Sequence, residues 1–214
     1  MTKRVAYFGG TFDPVHNGHL AIGSSLVKLF GFDRFYFLPA FQAPHKPDRK
    51  PTSGYHRFAM LSLATQNDDA LAVSDLELQT QQTRYTIDSL PELQRRHPNE
   101  KVFFVMGADS FMDIKTWRDW ENVLLGFEHI VVTRPGYDIS FEHVTEAVRK
   151  RIIDLRGGTG VQMTSDRQIY ITDAVIYDAS ATELREDLSD GDLERKDDLP
   201  VEVAKYIEKN ELYR

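Results

Sequence analysis

A glycine–histidine stretch at residues 9–20, GGTFDPVHNGHL, constrains the fold of this chain more than any other segment. It follows a short apolar run at residues 5–8 and precedes a stretch at residues 19–30 whose apolar side chains recur with helical spacing. This order predicts a buried strand, a tight turn and a helix. The turn lies where a parallel sheet of alternating strands and helices binds its ligands, at the carboxyl end of a strand.

The residues of this turn predict a place for a phosphate chain. Gly9 and Gly10 let the backbone approach a bulky ligand, because glycine has no Cβ. His16 and His19 are three residues apart and project from the same side of a helical turn, and the helix N-terminus behind them favours an anion. A metal site is not expected, because Asp13 is the only other ligand nearby and the His-Glu-x-x-His pattern is absent.

Composition excludes several classes of protein. The chain has 214 residues, 41% of them hydrophobic, which suffices for one packed domain. A formal net charge of -7 argues against a nucleic-acid partner, and no apolar run approaches the length of a membrane helix. Without cysteine there are no disulfides and no thiol catalysis, and we expect a cytoplasmic protein. Walker A and dinucleotide-binding glycine patterns are both absent.

Strand-like and helix-like segments alternate along the rest of the chain. Further strands are predicted within residues 35–38, 71–78, 102–106, 129–133 and 169–176, and further helices at residues 55–65, 87–97, 109–125, 141–155, 182–188 and 201–212. The pattern predicts an α/β, Rossmann-like, three-layer fold with a mainly parallel sheet and helices on both faces. We expect a single domain over residues 1–214, with the core at about 1–180 and a small helical extension at about 181–214.

A second motif near the other end of the chain strengthens the phosphate interpretation. Hydroxyls at Ser180 and Thr182 can cap a helix, and Arg185 lies one turn later, where its guanidinium can bind phosphate with two hydrogen bonds. Together with the His-x-Gly-His sequence at 16–19, this stretch resembles the two signatures of the nucleotidyltransferase superfamily. Ala179 stands where many members have isoleucine or valine.

Middle segments narrow the resemblance to the bacterial nicotinate mononucleotide adenylyltransferases. The matching segments are Pro44-His45-Lys46, Tyr85-Thr86 with Leu90, Gly107-Ala108-Asp109, Thr116-Trp117 and the closing residues 199–214. The resemblance therefore spans the whole chain. It implies adenylyl transfer from ATP to nicotinate mononucleotide, giving nicotinate adenine dinucleotide and pyrophosphate, in NAD biosynthesis.

The resemblance assigns the ATP side of the site to both motifs and to two of the middle segments. The expected catalytic residues are His16, His19, Lys46 and Arg185. The expected ATP-binding residues are Gly9, Gly10, Thr11, Phe12, Gly107, Asp109, Ser180 and Thr182. Lys46 is expected to contact nucleotide phosphate, and the Asp109 carboxylate to accept hydrogen bonds from ribose hydroxyls. Mg²⁺ is implied as the companion of ATP, with phosphate and water as its main ligands.

The acceptor side is assigned to Thr86, Trp117 and Arg134. By resemblance, Trp117 stacks on the pyridine ring, which suits a cationic ring over an aromatic face. Thr86 is expected to hold the nicotinate carboxylate together with backbone amides near Trp117. Arg84 and Arg118 flank this region, and whether either contacts substrate stays open.

Other functions remain open from the sequence. The same chemistry could act on nicotinamide mononucleotide or phosphopantetheine, or the chain could be a non-catalytic nucleotide-binding regulator. The expected partners are ATP and the mononucleotide, with no nucleic acid and no membrane. The oligomeric state also stays open, a homo-oligomer included.

Overall fold

The computed structural model describes residues 2–42, 50–133, 137, 139–158, 160–161, 164, 166–173, 181–190 and 196–214. The strands within these residues are β1 Arg4–Gly10, β2 Arg34–Pro39, β3 Leu71–Val73, β4 Lys101–Gly107, β5 Glu128–Val132, β6 Ile152–Asp154 and β7 Ile169–Thr172. The α-helices are α1 Asn17–Phe30, α2 Gly54–Thr65, α3 Thr86–Arg96, α4 Ala108–Met112, α5 Trp120–Gly126, α6 Glu146–Arg149, α7 Ala181–Ser189 and α8 Val201–Lys209. No helix in these ranges is both long and apolar enough to cross a bilayer.

All the strands join one parallel sheet in the order β3-β2-β1-β4-β5-β7-β6. The strand order reverses between β1 and β4, since β2 follows β1 on one side and β5 follows β4 on the other. Ligands of such sheets bind in the crevice at this point, outside the carboxyl ends of the strands. The glycine–histidine segment, defined as residues 9–19, begins at the end of β1 and therefore lies there.

Helices cover both faces of the sheet, because successive side chains of a strand point to opposite sides. In β1, Ala6 and Phe8 belong to one apolar cluster, while Val5 and Tyr7 belong to the other. The first cluster also receives side chains of α1, α2, α7 and α8, and the second receives those of α3 to α6. The expected three-layer α/β fold is confirmed.

The prediction of a helix at residues 141–155 is wrong. Only α6 is helical in this stretch, and β6 begins three residues after α6 ends. Ile152 pairs with Ile169 of β7, so the apolar residues that suggested a helix face instead complete the edge of the sheet. Pairing with a distant strand overrides a helical pattern that is visible only locally.

The helix predicted at residues 109–125 is divided. α4 ends at Met112, a 3₁₀ turn covers Ile114–Thr116, and α5 begins at Trp120. Trp117 lies between them with an extended backbone, φ −80° and ψ 141°. The break releases this tryptophan from the regular helical packing that the sequence suggested.

Candidate active site

The two glycines at the end of β1 are required by close aromatic packing. A Cβ on Gly9 would lie 2.6 Å from the Phe104 ring, and one on Gly10 would lie 2.8 Å from the Phe12 ring. Phe12 itself has φ 51°, in the left-handed region that costs a non-glycine residue energy. Its buried ring packs edge-on against His19, with the centroids 4.9 Å apart. The narrow turn therefore fixes the position of an imidazole.

His16 and His19 lie together at the N-terminus of α1. Their ring centroids are 3.7 Å apart, and His16 occupies the N-cap position. The His16 backbone N–H donates to Nδ1 of His19 at 3.3 Å. A neutral His19 ring with an accepting Nδ1 carries its proton on Nε2, which is then a hydrogen-bond donor.

Burial and the neighbouring His16 lower the pKa of His19 well below its usual value of 6.5. Protonation would also place a hydrogen on the Nδ1 atom that accepts from His16. His19 is therefore neutral at pH 7. It can donate a hydrogen bond to an anion, but it does not carry a full positive charge.

The second motif reaches the glycine–histidine segment through Arg185 of α7. Its guanidinium donates to the backbone oxygen of Asp13 and, at 2.9 Å, to Oγ1 of Thr182. Thr182 is exposed and Arg185 is half-buried. Two motifs that are far apart in sequence thus contact each other, with Arg185 and Asp13 separated by 172 positions.

A cavity of about 420 Å³ opens beside the glycine–histidine segment. Its lining residues are Gly9, Gly10, Thr11, Ala40, Glu77, Arg84, Tyr85, Thr86, Phe104, Ser110, Thr116, Trp117 and Arg118. The volume suits a small-molecule ligand. The backbone of the glycine–histidine segment forms one side of this cavity, and aromatic and cationic side chains form the other.

The far side of the cavity is an aromatic wall, defined as residues 84–86 and 116–118. The Trp117 ring stands edge-on to Phe104, with the centroids 6.3 Å apart and an interplanar angle of 78°. The Arg118 guanidinium lies over the Tyr85 ring at 5.1 Å from its centroid. Thr86 begins α3. The wall combines ring faces, cations and a helix N-terminus, which suits an aromatic ligand that carries negative charge.

Among the described residues that line this cavity, Glu77 is the one carboxylate. Its side chain is buried and accepts a hydrogen bond of 2.6 Å from the Ser89 hydroxyl of α3. Burial raises its pKa to about 7, while the Ser89 bond and the charge of Arg84 act in the opposite direction. A neutral or half-ionised Glu77 carboxyl repels an anion in the cavity less than a fully ionised one would.

Comparisons with known proteins agree with this geometry. The cytidylyltransferase-like family profile matches residues 7–187. A probable nicotinate-nucleotide adenylyltransferase from Symbiobacterium thermophilum is 43% identical over 137 residues, which cover 64% of this chain and 66% of that protein. The protein of the same name from Desulfitobacterium hafniense (strain Y51) is 35% identical over 212 residues, 99% of this chain and 96% of the relative.

The chain belongs to the family of nicotinate-nucleotide adenylyltransferases. A solved structure confirms the fold: the Plasmodium falciparum nicotinic acid mononucleotide adenylyltransferase complexed with NaAD superposes with a TM-score of 0.75. That alignment covers 99% of this chain and 97% of the other at 21% identity, so it supports the architecture alone.

Many of the site residues predicted from the sequence lie at or beside this cavity. Gly9, Gly10, Thr11, Thr86 and Trp117 line one cavity. Phe12, His16 and His19 adjoin it on the glycine–histidine segment, and Arg185 and Thr182 approach that segment from α7.

Gly107 ends β4 and Asp109 follows it at the same edge of the sheet, because Phe8 of β1 pairs with Val105 of β4. A Cβ on Gly107 would meet no atom within 4 Å. Asp109 is exposed in the first turn of α4, one residue before Ser110 of the cavity lining. Its carboxylate is thus accessible to a ligand at this edge.

Three predicted site residues, Lys46, Ser180 and Arg134, lie outside the described residues. Their assignments remain predictions from the sequence.

Sequence reasoning missed two buried charges next to the site, Glu77 and Arg57. Glu77 stands between Leu76 and Leu78, both of which are buried. Arg57 shares the buried face of α2 with Met60 and Leu61. A charged residue at a position that the apolar spacing assigns to the core is the signal that could have found both, because such residues need polar partners.

Proposed function

We propose that this chain transfers the adenylyl group of ATP to nicotinate mononucleotide. The observation that carries the proposal is one cavity with two different sides. Gly9 to Thr11 of the glycine–histidine segment line one side, and Trp117 of the aromatic wall lines the other. Membership in the adenylyltransferase family supports the same reaction. We treat residues 1–214 as one nucleotidyltransferase domain, with the core at about 1–180 and the helical part at about 181–214.

In the proposed reaction, a phosphate oxygen of the mononucleotide attacks the α-phosphorus of ATP. A P–O bond forms there, and the bond from that phosphorus to the bridging oxygen of pyrophosphate breaks. The attacking phosphate has a second pKa near 6, so at neutral pH it is mostly dianionic and needs no general base. The protein's task is to align two anions and stabilise the charge that develops between them.

The ATP side of the mechanism rests on His16, His19 and Arg185 in this proposal. The neutral His19 ring donates a hydrogen bond from Nε2–H to an oxygen of the reacting phosphate, and His16 donates a hydrogen bond to a neighbouring phosphate oxygen. The N-terminus of α1 adds a favourable dipole behind both rings. Arg185 binds the departing pyrophosphate beside Thr182, and Lys46 and Ser180 are proposed to join it.

The backbone and ribose contacts complete the ATP side. Amides of the segment Gly9, Gly10, Thr11 and Phe12 are proposed to bind phosphate oxygens. Asp109 is exposed at the end of β4 and is proposed to accept from ribose hydroxyls, with Gly107 giving room for the nucleotide. Thr86, Trp117 and Arg134 are assigned to the mononucleotide.

Mg²⁺ is proposed to enter with the triphosphate. Among the described residues, no group of three His, Cys, Asp or Glu side chains is placed to hold a metal ion. Asp13 is occupied, since it accepts from Tyr213 and from the Thr52 backbone. Phosphate oxygens and water therefore suit the cation better than a protein cage, and its contribution would be to neutralise phosphate charge.

Pyrophosphate release tests the function. The purified chain is incubated with ATP and Mg²⁺ and with one acceptor at a time: nicotinate mononucleotide, nicotinamide mononucleotide or phosphopantetheine. We expect the highest kcat/KM with nicotinate mononucleotide. A higher kcat/KM with another acceptor would correct the substrate, and no release with any of the three would favour a non-catalytic regulator.

A further inference from the structure

A fully buried arginine supports the glycine–histidine segment from beneath. The Arg57 side chain, in the first turn of α2, is 0% exposed. Its Nε donates to the Thr52 oxygen at 2.8 Å, and its two terminal nitrogens donate to the oxygens of Thr11 at 2.7 Å and Phe41 at 3.0 Å. One rigid guanidinium therefore connects three separate backbone segments.

Asp13 supplies the opposite charge for this buried cation. Its side chain is 4% exposed. Burial lowers the pKa of the Arg57 guanidinium, and the negative charge of Asp13 opposes that shift. One Asp13 oxygen accepts from the Thr52 backbone N–H at 3.1 Å, and the other accepts from the Tyr213 hydroxyl at 2.7 Å.

Tyr213 reaches Asp13 from the segment that follows α8. Its backbone has φ 65°, and Glu211, two residues before it, has φ 53°, both in the left-handed region. Non-glycine residues adopt this region at an energetic cost, so the surrounding contacts must hold the segment in place. Burial, together with the charge of Asp13, raises the pKa of Tyr213, so its hydroxyl stays protonated and donates.

These bonds orient the amides of the turn. In a trans peptide the carbonyl and the following N–H point in opposite directions. The Gly10 oxygen accepts from the Ala40 backbone at 2.9 Å, and the Thr11 oxygen accepts from Arg57. The N–H groups of Thr11 and Phe12 therefore point away from Ala40 and Arg57.

We propose that Arg57 and Tyr213 are positioning residues for adenylyl transfer: through Asp13 and the Thr11 carbonyl, they hold the turn that aims its amides and His19 at phosphate. The inference rests on the proposed function. His19 is included because its ring packs on Phe12, which directly follows Thr11. A displacement of this turn by a fraction of an ångström to an ångström misaligns the reacting phosphates while leaving the aromatic wall unchanged.

The test compares two tyrosines that lose the same hydroxyl. Tyr213→Phe removes the bond to Asp13. Tyr206→Phe is the matched control, because the Tyr206 hydroxyl bonds to His56 at 2.9 Å and fastens α8 to α2 without touching the turn. Both variants remove a partly buried hydroxyl. Tyr213→Phe should lose more stability, because its partner is a buried carboxylate, so kcat is compared at a temperature where both variants are folded.

We expect Tyr213→Phe to lower kcat for pyrophosphate release by roughly 10- to 100-fold, with the KM for nicotinate mononucleotide changed by less than about twofold. Tyr206→Phe should keep kcat within about twofold of the unmodified chain. A merely structural role for Tyr213 predicts equal kcat in the two variants. That equality would overturn the proposal.

Hydrogen exchange provides a readout that does not need the reaction. In the protein without substrates, amides of residues 10–13 should exchange faster in Tyr213→Phe than in Tyr206→Phe. Equal exchange in the two variants would overturn the proposal, even if the unmodified chain is active. If the unmodified chain releases no pyrophosphate with any acceptor, the proposed function fails, and the exchange difference still decides whether Tyr213 holds the turn.

Arg57→Lys tests the other half of the support. Lysine keeps the positive charge but cannot donate to three carbonyls in the arginine geometry. We expect a larger fall in kcat than for Tyr213→Phe, again with little change in the KM for the mononucleotide. A kcat equal to that of the unmodified chain would remove Arg57 from the proposal, and a variant that does not fold leaves Tyr213→Phe as the deciding test.

Discussion

The glycine–histidine segment and the aromatic wall face the same cavity but are held in different ways. The segment is fixed from the interior, where Arg57 is 0% exposed, Asp13 4% and His16 6%. The wall is open, with Tyr85 37% exposed and Arg118 exposed as well. Groups that stabilise developing charge must be oriented before the reaction, whereas groups that recognise a flat ring can tolerate small movements. The difference is consistent with the proposed roles, phosphate chemistry for the segment and acceptor binding for the wall.

The largest effect is expected in the segment. His19→Ala removes a preorganised donor, so kcat should fall by on the order of 10²–10³, measured as pyrophosphate release at saturating substrates. His56→Ala is the matched control, because His56 forms a hydrogen bond with Tyr206 of α8. This variant should leave kcat unchanged. Near-normal turnover in His19→Ala, with an intact fold by circular dichroism, would contradict the assigned role.

The buried carboxyl of the cavity gives the next largest effect, on stability. Glu77 has its pKa raised from 4.5 to about 7 in the folded chain. Burying the ionised Glu77 therefore destabilises the folded chain. This destabilisation is absent below pH 4.5, grows as the pH rises to about 7, and stays constant above that pH. Glu77→Gln, which is neutral throughout, should gain stability over the unmodified chain by up to about 3 kcal/mol between pH 4.5 and pH 8.

Urea unfolding at several pH values measures this gain. Asp75→Asn is the control, since it removes a carboxylate two residues away that is exposed and bonds only locally to Gln79. A free energy of unfolding that instead changes with pH in parallel for Glu77→Gln and the unmodified chain would show that Glu77 titrates in the folded chain as it does in water. The Glu77 carboxyl would then be better solvated than its 8% exposure indicates.

A smaller effect should separate the two sides of the cavity by their substrates. Trp117→Ala removes the ring assigned to pyridine stacking, so the KM for nicotinate mononucleotide should rise about tenfold while that for ATP stays constant. Trp120→Ala is the control, because Trp120 packs against the same apolar cluster as Trp117 but lies outside the described lining of the cavity, so it should lower thermal stability without raising this KM. A change in the ATP constant alone would refute the stacking assignment.

The two regions also differ in how far the sequence predicts them. The segment is contiguous, and its glycines, histidines and following helix indicate both a local shape and a chemistry. Its support is not contiguous: Arg57 donates to Thr11 from 46 positions away, and Tyr213 donates to Asp13 from 200 positions away. No local pattern specifies such a meeting, although an arginine on the apolar face of α2 signals that a buried partner exists.

The wall depends on tertiary structure in a second way. A continuous helix at residues 109–125 would have placed Trp117 on a regular face, but the chain leaves the helix after Met112 and Trp117 is extended. The stretch at 141–155 failed as a helix for a related reason, because β6 finds its partner in β7. The alternation of strands and helices predicts the layered parallel architecture, whereas breaks within a helix depend on what each side chain contacts.

The smallest expected effect decides which cation of the wall faces the ligand. Arg84 donates to the Asp88 oxygen at 3.1 Å and is tied to the first turn of α3, whereas Arg118 lies over Tyr85 beside Trp117. Arg118→Gln should therefore raise the KM for nicotinate mononucleotide about threefold, as expected for an exposed charge pair. The KM for nicotinamide mononucleotide should not change, because that ring has no carboxylate. Arg84→Gln is the control, and a larger effect there would assign the carboxylate to Arg84 and leave Arg118 to hold the Tyr85 ring.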